Sequence, residues 1–202
     1  DIFRALALGG TLPLVRTADK SKVACQSLLD AGAGGIVFAN VDDAEELENL
    51  VSACQLPPRG TRGVGFSRAN LFGHDFETFL NAKTDPLIIA MIESQRGVDA
   101  LEKIIDVKGL DAIFIGPYDL SASLKKVGNF DSEQFLASLE KIKGVCRSKA
   151  VPTGLHVVKP EPAKLKDSIN DGFCFIAYSI DAVFLNNSLD QSFRTRFQDY
   201  QV

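Results

Sequence analysis

The chain reads as a parallel α/β fold. Three observations predict it: short β-rich apolar runs alternate with segments of helical period, those runs are continuous rather than alternating, and several end in polar residues. Continuous apolar runs are expected of parallel strands covered on both faces. The six runs are 11–16 (TLPLVR), 35–39 (GIVFA), 86–93 (PLIIAMIE), 111–116 (DAIFIG), 153–158 (TGLHVV) and 173–179 (FCFIAYS).

Helices are predicted between them. Asp43 and Glu46 form a capping pair ahead of an apolar stripe through Ala44, Leu47, Val51 and Cys54. Val98, Leu101 and Ile105 make a second stripe. Asp131 and Gln134 read as another capping box before Phe135, Leu139, Ile142 and Cys146. Pro162 suits the first turn of a helix over 161–170, with Gly172 as its stop. The loop 56–65 (LPPRGTRGVG) breaks the alternation, and a helix is expected over 76–82.

Composition bounds the reading further. At 202 residues and 46% hydrophobic, the chain has enough apolar material for one domain, 1–202. A net charge of −4 without a Lys/Arg block argues against nucleic acid and anionic membrane surfaces as partners. No apolar run approaches the roughly 18 residues of a membrane span, and no secretory leader is visible. Cys25, Cys54, Cys146 and Cys174 are widely spaced, with no C-x-x-C pair, and read as reduced, mostly buried thiols of a cytoplasmic protein.

Two architectures fit the alternation: an open doubly wound sheet and a closed eight-stranded barrel. Polar residues at the ends of different strands (Arg16, Glu93, and Asp119 just past another) favour a barrel, whose active site is fed from many strand ends. Such a domain runs to about 250 residues, so a barrel reading leaves about two units without a counterpart here.

Glu93 ends one strand and Asp119 follows the next, and adjacent strands end about 5 Å apart. Two carboxylates converging there would repel unless a cation or a shared proton intervenes, and two carboxylates plus water is a common way to hold Mg²⁺ or Mn²⁺. The other reading is that both cap the following helices. Gly116-Pro117 forces a sharp turn, after which the N–H groups from Tyr118 to Ser121 open a helical turn fit for a carboxylate or phosphate, or make an ordinary strand-to-helix connection. Arg16 either stabilises an oxyanion or forms a rim salt bridge. The loop RGTRGVG lacks the setting of a nucleotide fingerprint. His74 reads as a surface residue and His156 as a core or rim residue. No Ser-His-Asp, Cys-His or H-E-x-x-H arrangement supports a hydrolase.

The linked runs PPRGTRGVGFSRANLFG, MIESQRGVDALEKI, KGLDAIFIGPYDLSASL, GLHVVKPEP and GFCFIAYSIDAVFL resemble the HpcH/HpaI aldolase family, in the family's order along nearly the whole chain. Within it the likeness is to 2-dehydro-3-deoxyglucarate (galactarate) aldolases. The resemblance implies a (β/α)₈ TIM barrel that exchanges its last helix within a homo-oligomer, usually a hexamer. It implies a divalent metal (Mg²⁺ or Mn²⁺, with Co²⁺ as a further candidate) on Glu93 and Asp119, and contacts to a 2-oxo acid from the backbone around Tyr118 and Asp119. Arg16 would stabilise the enolate, and Asp30 in SLLDAG would support the catalytic histidine. The implied reaction is reversible cleavage of a 4-hydroxy-2-oxo acid to pyruvate and an aldehyde. The family's first strand, first helix and second strand, with its base histidine, have no counterpart before Asp1. Met91 stands where the family usually has Gln, and Lys125 where Gly is frequent. A citramalyl-CoA-lyase-like or phosphoenolpyruvate-mutase-like enzyme, and a binding protein that lacks the base, remain as alternatives.

Overall fold

The computed structural model describes residues 1–81 and 85–189. In chain order these form α1 (Ile2–Leu8), β1 (Leu14–Thr17), α2 (Lys22–Asp30), β2 (Gly35–Phe38), α3 (Ala44–Cys54), a 3₁₀ segment (Arg68–Gly73), α4 (Phe76–Asn81), β3 (Leu87–Ile92), α5 (Gln95–Ile104), β4 (Ala112–Ile115), α6 (Pro117–Ser123), α7 (Glu133–Ser148), β5 (Thr153–Val157), α8 (Pro162–Asn170), β6 (Phe175–Tyr178) and α9 (Asp181–Ser188). Each apolar run contains a strand, shorter than its run because the ends turn into loops. The chain divides into two compact units, Asp1–Thr153 and Gly154–Val202.

In the first unit β1, β2, β3 and β4 pair in sequence order, all parallel. The register sets Arg16 beside Val37, Val37 beside Ile89, and Ile89 beside Ala112. Because side chains alternate between faces, Arg16, Val37, Ile89, Met91, Ala112 and Phe114 share one face. The opposite face carries Ile36, Phe38, Ile88, Ala90, Ile92, Ile113 and Ile115, all 0% exposed. On the first face Val37, Met91 and Phe114 keep 5–8% of their surface. Near-complete burial on both sides is why these runs show no polar alternation.

The helices form where capping and apolar spacing coincide. Asp43 caps α3 by accepting from the Glu46 N–H at 2.9 Å, and Leu47, Leu50, Val51 and Cys54 are buried. Ser94 caps α5 through the Gly97 N–H. For α7 the expected Asp131/Gln134 box is corrected: Ser132 is the N-cap and accepts from Phe135 N–H. A hydroxyl one residue nearer the first turn reaches that donor, and Asp131 lies outside the helix. Helix α2 was not expected as a helix, since only Cys25 and Leu29 of it are buried and its stripe is narrow. Ser21 caps it.

Cys25 on α2 and Cys54 on α3 are both fully buried and share a thiol–thiol hydrogen bond. Sequence spacing showed no such pair, because helix packing rather than chain proximity joins them. The shared bond draws the Cys25 thiol down and pushes Cys54 up. Cys146 is buried and Cys174 exposed.

In the second unit β5 pairs parallel with β6, Gly154 beside Phe175. Pro162 begins α8 and Gly172, at φ +90°, follows its end. No helix among the described residues is long and apolar enough to cross a membrane.

The corrected cap is testable by urea denaturation. Ser132→Ala should cost about 1 kcal/mol, whereas Asp131→Ala should stay within about 0.5 kcal/mol of the parent, the usual range for a surface position. Equal losses would restore Asp131 as the cap.

Candidate active site

The strand register prepares the site. Continuing the alternation two residues beyond Met91 brings Glu93 onto the same face as Arg16, at the carboxyl end of β3. Glu93 is 3% exposed. Its Oε1 accepts a 2.7 Å hydrogen bond from the backbone N–H of Asn40, at the end of β2.

Gly116 makes the space. A Cβ there would come within 2.7 Å of both Glu93 Oε2 and the Met91 methyl carbon. No real Cβ sits that close, so any other residue would displace the carboxylate. The Gly-Pro turn therefore serves two ends: it turns the chain into α6, and it leaves Glu93 Oε2 room to face the strand ends.

Three charges meet at this point. Burial pushes the Glu93 carboxyl up, the Asn40 N–H draws it back, the Asp119 carboxylate pushes it up, and Arg16 draws it down. Asp119, in the first turn of α6, and Arg16, at the end of β1, thus both act on Glu93. Both are exposed, so the group opens outward from a buried base.

The start of α6 adds donors. Pro117 has no N–H, and the Leu120 N–H is bonded to the Gly116 carbonyl. The expected run of free donors from Tyr118 to Ser121 therefore narrows to Tyr118 and Asp119. The Tyr118 ring packs edge-on against Phe130 at 5.0 Å, and its carbonyl accepts from the Ser121 hydroxyl at 2.7 Å. What Tyr118 can offer at the strand ends is its backbone.

The structure does not bring Asp30 into this group. Asp30 ends α2, which runs back from the carboxyl end of β1 to the start of β2, so it lies at the amino ends of the strands. There it pairs with Arg62 at 2.7 Å, and that arginine is only 5% exposed and stacks over Phe79 at 5.6 Å. The segment holding His74 also leaves α3 and returns to the start of β3. His74 is exposed there, as expected of a surface residue.

The donor set suits a hard cation. Two carboxylates, one buried and repelled by the other, gain from a positive charge between them, and oxygen donors select Mg²⁺, Mn²⁺ or Ca²⁺ over softer metals. Among the described residues no three His, Cys, Asp or Glu side chains converge. Two protein ligands would leave the other positions to water or substrate oxygens. Asn40 and the spatial role of Gly116 escaped sequence reading. Nothing marks Asn40 except an asparagine after an apolar run; its left-handed φ of 52° appears only in the fold.

Known proteins resemble this chain in sequence and in fold. A profile of the HpcH/HpaI aldolase/citrate lyase family matches residues 2–188. A 2-keto-3-deoxy-L-rhamnonate aldolase of Escherichia coli O9:H4 (strain HS) is 34% identical over 192 residues, 94% of this chain and 71% of that protein. The crystal structure of an HpcH/HpaI aldolase from Desulfitobacterium hafniense DCB-2 superposes with a TM-score of 0.86 at 25% identity, over 98% of this chain and 76% of that one. The citrate synthase SbnG superposes at 0.80 with 26% identity, over 98% and 77%.

Glu93→Gln tests the electrostatics in metal-stripped protein. Gln keeps the acceptor for Asn40 and removes the charge. A carboxyl raised by folding stabilises the fold fully below the ordinary carboxylate pKa, and that contribution is lost as pH rises through the raised value. The variant should therefore melt higher than the parent at pH 8, by about 2–4 °C if about 1 kcal/mol is relieved, and the gap should close as pH falls. A parent that is the more stable at pH 8 would show that Glu93 is not strained by its surroundings.

Proposed function

The chain belongs to the HpcH/HpaI aldolase/citrate lyase family, and on that premise we propose that it is a divalent-metal-dependent lyase. It cleaves a 2-keto-3-deoxy sugar acid, a 4-hydroxy-2-oxo acid, reversibly into pyruvate and an aldehyde. The observation that carries the reading is the buried Glu93, facing Asp119 and Arg16 across the room left by Gly116. The 34% identity to a 2-keto-3-deoxy-L-rhamnonate aldolase makes that sugar acid the first substrate to try.

In this proposal Glu93 and Asp119 hold Mg²⁺, Mn²⁺ or Co²⁺, which when bound supplies Lewis acidity at the 2-oxo oxygen. The N–H groups of Tyr118 and Asp119 receive the substrate carboxylate. Cleavage begins when a general base, which is not among the residues described here, takes the 4-hydroxyl proton; the C3–C4 bond then breaks, C4 leaves as the aldehyde, the electron pair becomes the enolate of pyruvate, and a proton returned to C3 gives pyruvate. Arg16 faces that developing charge, and a guanidinium that stays ionised at every working pH is suited to it. The apolar floor of Met91, Phe114 and Val37 keeps water from protonating the enolate early. Met91 offers no hydrogen bond, so orientation of the keto acid rests on Arg16 and the α6 backbone. The parallel strands are read as belonging to a (β/α)₈ barrel, which the superposition on a family structure supports, and the homo-oligomer rests on the family resemblance alone.

A pyruvate-release assay with 2-keto-3-deoxy-L-rhamnonate tests the reading. Turnover should require added Mg²⁺ or Mn²⁺ and vanish with chelator. Glu93→Ala should abolish it, and Arg16→Lys should slow it by roughly 10²-fold, the scale of losing one oxyanion donor. Release that continues unchanged after metal is stripped would sink the metal-dependent assignment. Tight Mn²⁺ and pyruvate binding with no release would identify a binding protein instead.

A further inference from the structure

The backbone around Asn40 is held in an unusual way, and the residue that holds it lies on a different loop. Ala39 N–H bonds to the Thr17 carbonyl and Val41 N–H to the Met91 carbonyl, so the chain on either side is pinned to β1 and β3. Between them Asn40 takes φ 52°, the left-handed region. This rotation removes its N–H from the strand ladder and aims it at Glu93 Oε1, at 2.7 Å. Its carbonyl turns the other way and accepts from the Lys20 ammonium at 2.5 Å. Lys20, in the loop between β1 and α2, also pairs with Glu46 on α3 at 2.6 Å.

One ammonium group therefore ties the β1–α2 loop to the first turn of α3 and to the peptide that orients Glu93. Lys20 is mostly buried, its side chain 20% exposed. Lys20 reaches Glu93 through the Asn40 peptide, whose carbonyl it bonds and whose N–H bonds Glu93. Partners that orient a metal-binding carboxylate without touching the metal typically govern affinity by 10–100-fold.

We propose that Lys20 is a positioning residue for the active site: by bonding the Asn40 carbonyl it fixes the left-handed peptide whose N–H sets Glu93. The proposal rests on Glu93 as a metal-binding carboxylate, but it concerns a residue the family resemblance does not point to. It also explains why Lys20 is placed where it can satisfy both an acceptor on the backbone and the carboxylate of Glu46.

Mn²⁺ binding followed by electron paramagnetic resonance, together with hydrogen exchange of the Asn40 amide, tests it. Lys20→Met should weaken Mn²⁺ binding about tenfold and speed Asn40 exchange, while Lys20→Arg restores both to within about threefold of the parent. Should the Met variant fail to fold, Lys20→Gln takes its place under the same criteria. Glu46→Gln, which breaks a half-solvated ion pair of small worth, should leave Mn²⁺ affinity within about twofold. Unchanged Mn²⁺ binding or unchanged Asn40 exchange in the Lys20 variant overturns the proposal, as does a Glu46→Gln loss equal to that of Lys20→Met. A parent that binds no Mn²⁺, or a Glu93→Ala variant that binds it equally well, defeats the metal reading instead; Asn40 exchange then decides alone whether Lys20 holds the peptide.

Discussion

A carboxylate placed at the bottom of a group of strand ends, almost out of contact with water, is the constraint on which the site depends. Burying Glu93 costs free energy, and Asp119 raises that cost. The fold offsets part of it with one backbone hydrogen bond from Asn40 and with the nearby Arg16. The remainder stays as a standing preference for positive charge. That preference follows from the packing of β2, β3 and β4: the apolar floor that makes Glu93 hard to ionise also favours any positive charge placed beside it.

The two ends of the strands do different work. At the carboxyl ends the side chains are charged and converge, with glycine at the closest approach. At the amino ends Asp30 is spent on the buried Arg62, Arg59 pairs with Asp85 at 2.8 Å, and Asp111 accepts from the Ile88 N–H at 2.7 Å. These pairs close loops and hold strand starts. In (β/α)₈ barrels active sites gather at the carboxyl ends of the strands, while the amino ends serve stability. Asp30 sits at that amino end, paired with Arg62.

Specificity lies outside this frame. SbnG shares the fold and 26% identity and is a citrate synthase, whereas the relative from Escherichia coli is a 2-keto-3-deoxy-L-rhamnonate aldolase. Fold similarity therefore fixes the parallel scaffold and not the second half of the substrate. The groups described here are two carboxylates, one guanidinium and the backbone donors at the start of α6. Residues that would recognise an aldehyde are not among them.

From its sequence alone this chain declared six parallel strands, the cap of α3, the proline that opens α8 and the glycine that follows it, and the place of Glu93, Asp119 and Arg16 at strand ends. Those follow from local chemistry: apolar runs, capping spacing, and charged residues at the end of an otherwise apolar strand. Only the tertiary structure decided which residues surround them. The left-handed peptide at Asn40, its tie to Lys20, the clearance at Gly116, the Cys25–Cys54 contact and the Asp30–Arg62 pair all join segments far apart in the chain. Each depends on strand register and helix packing, and no spacing rule along a single chain encodes a contact that register creates.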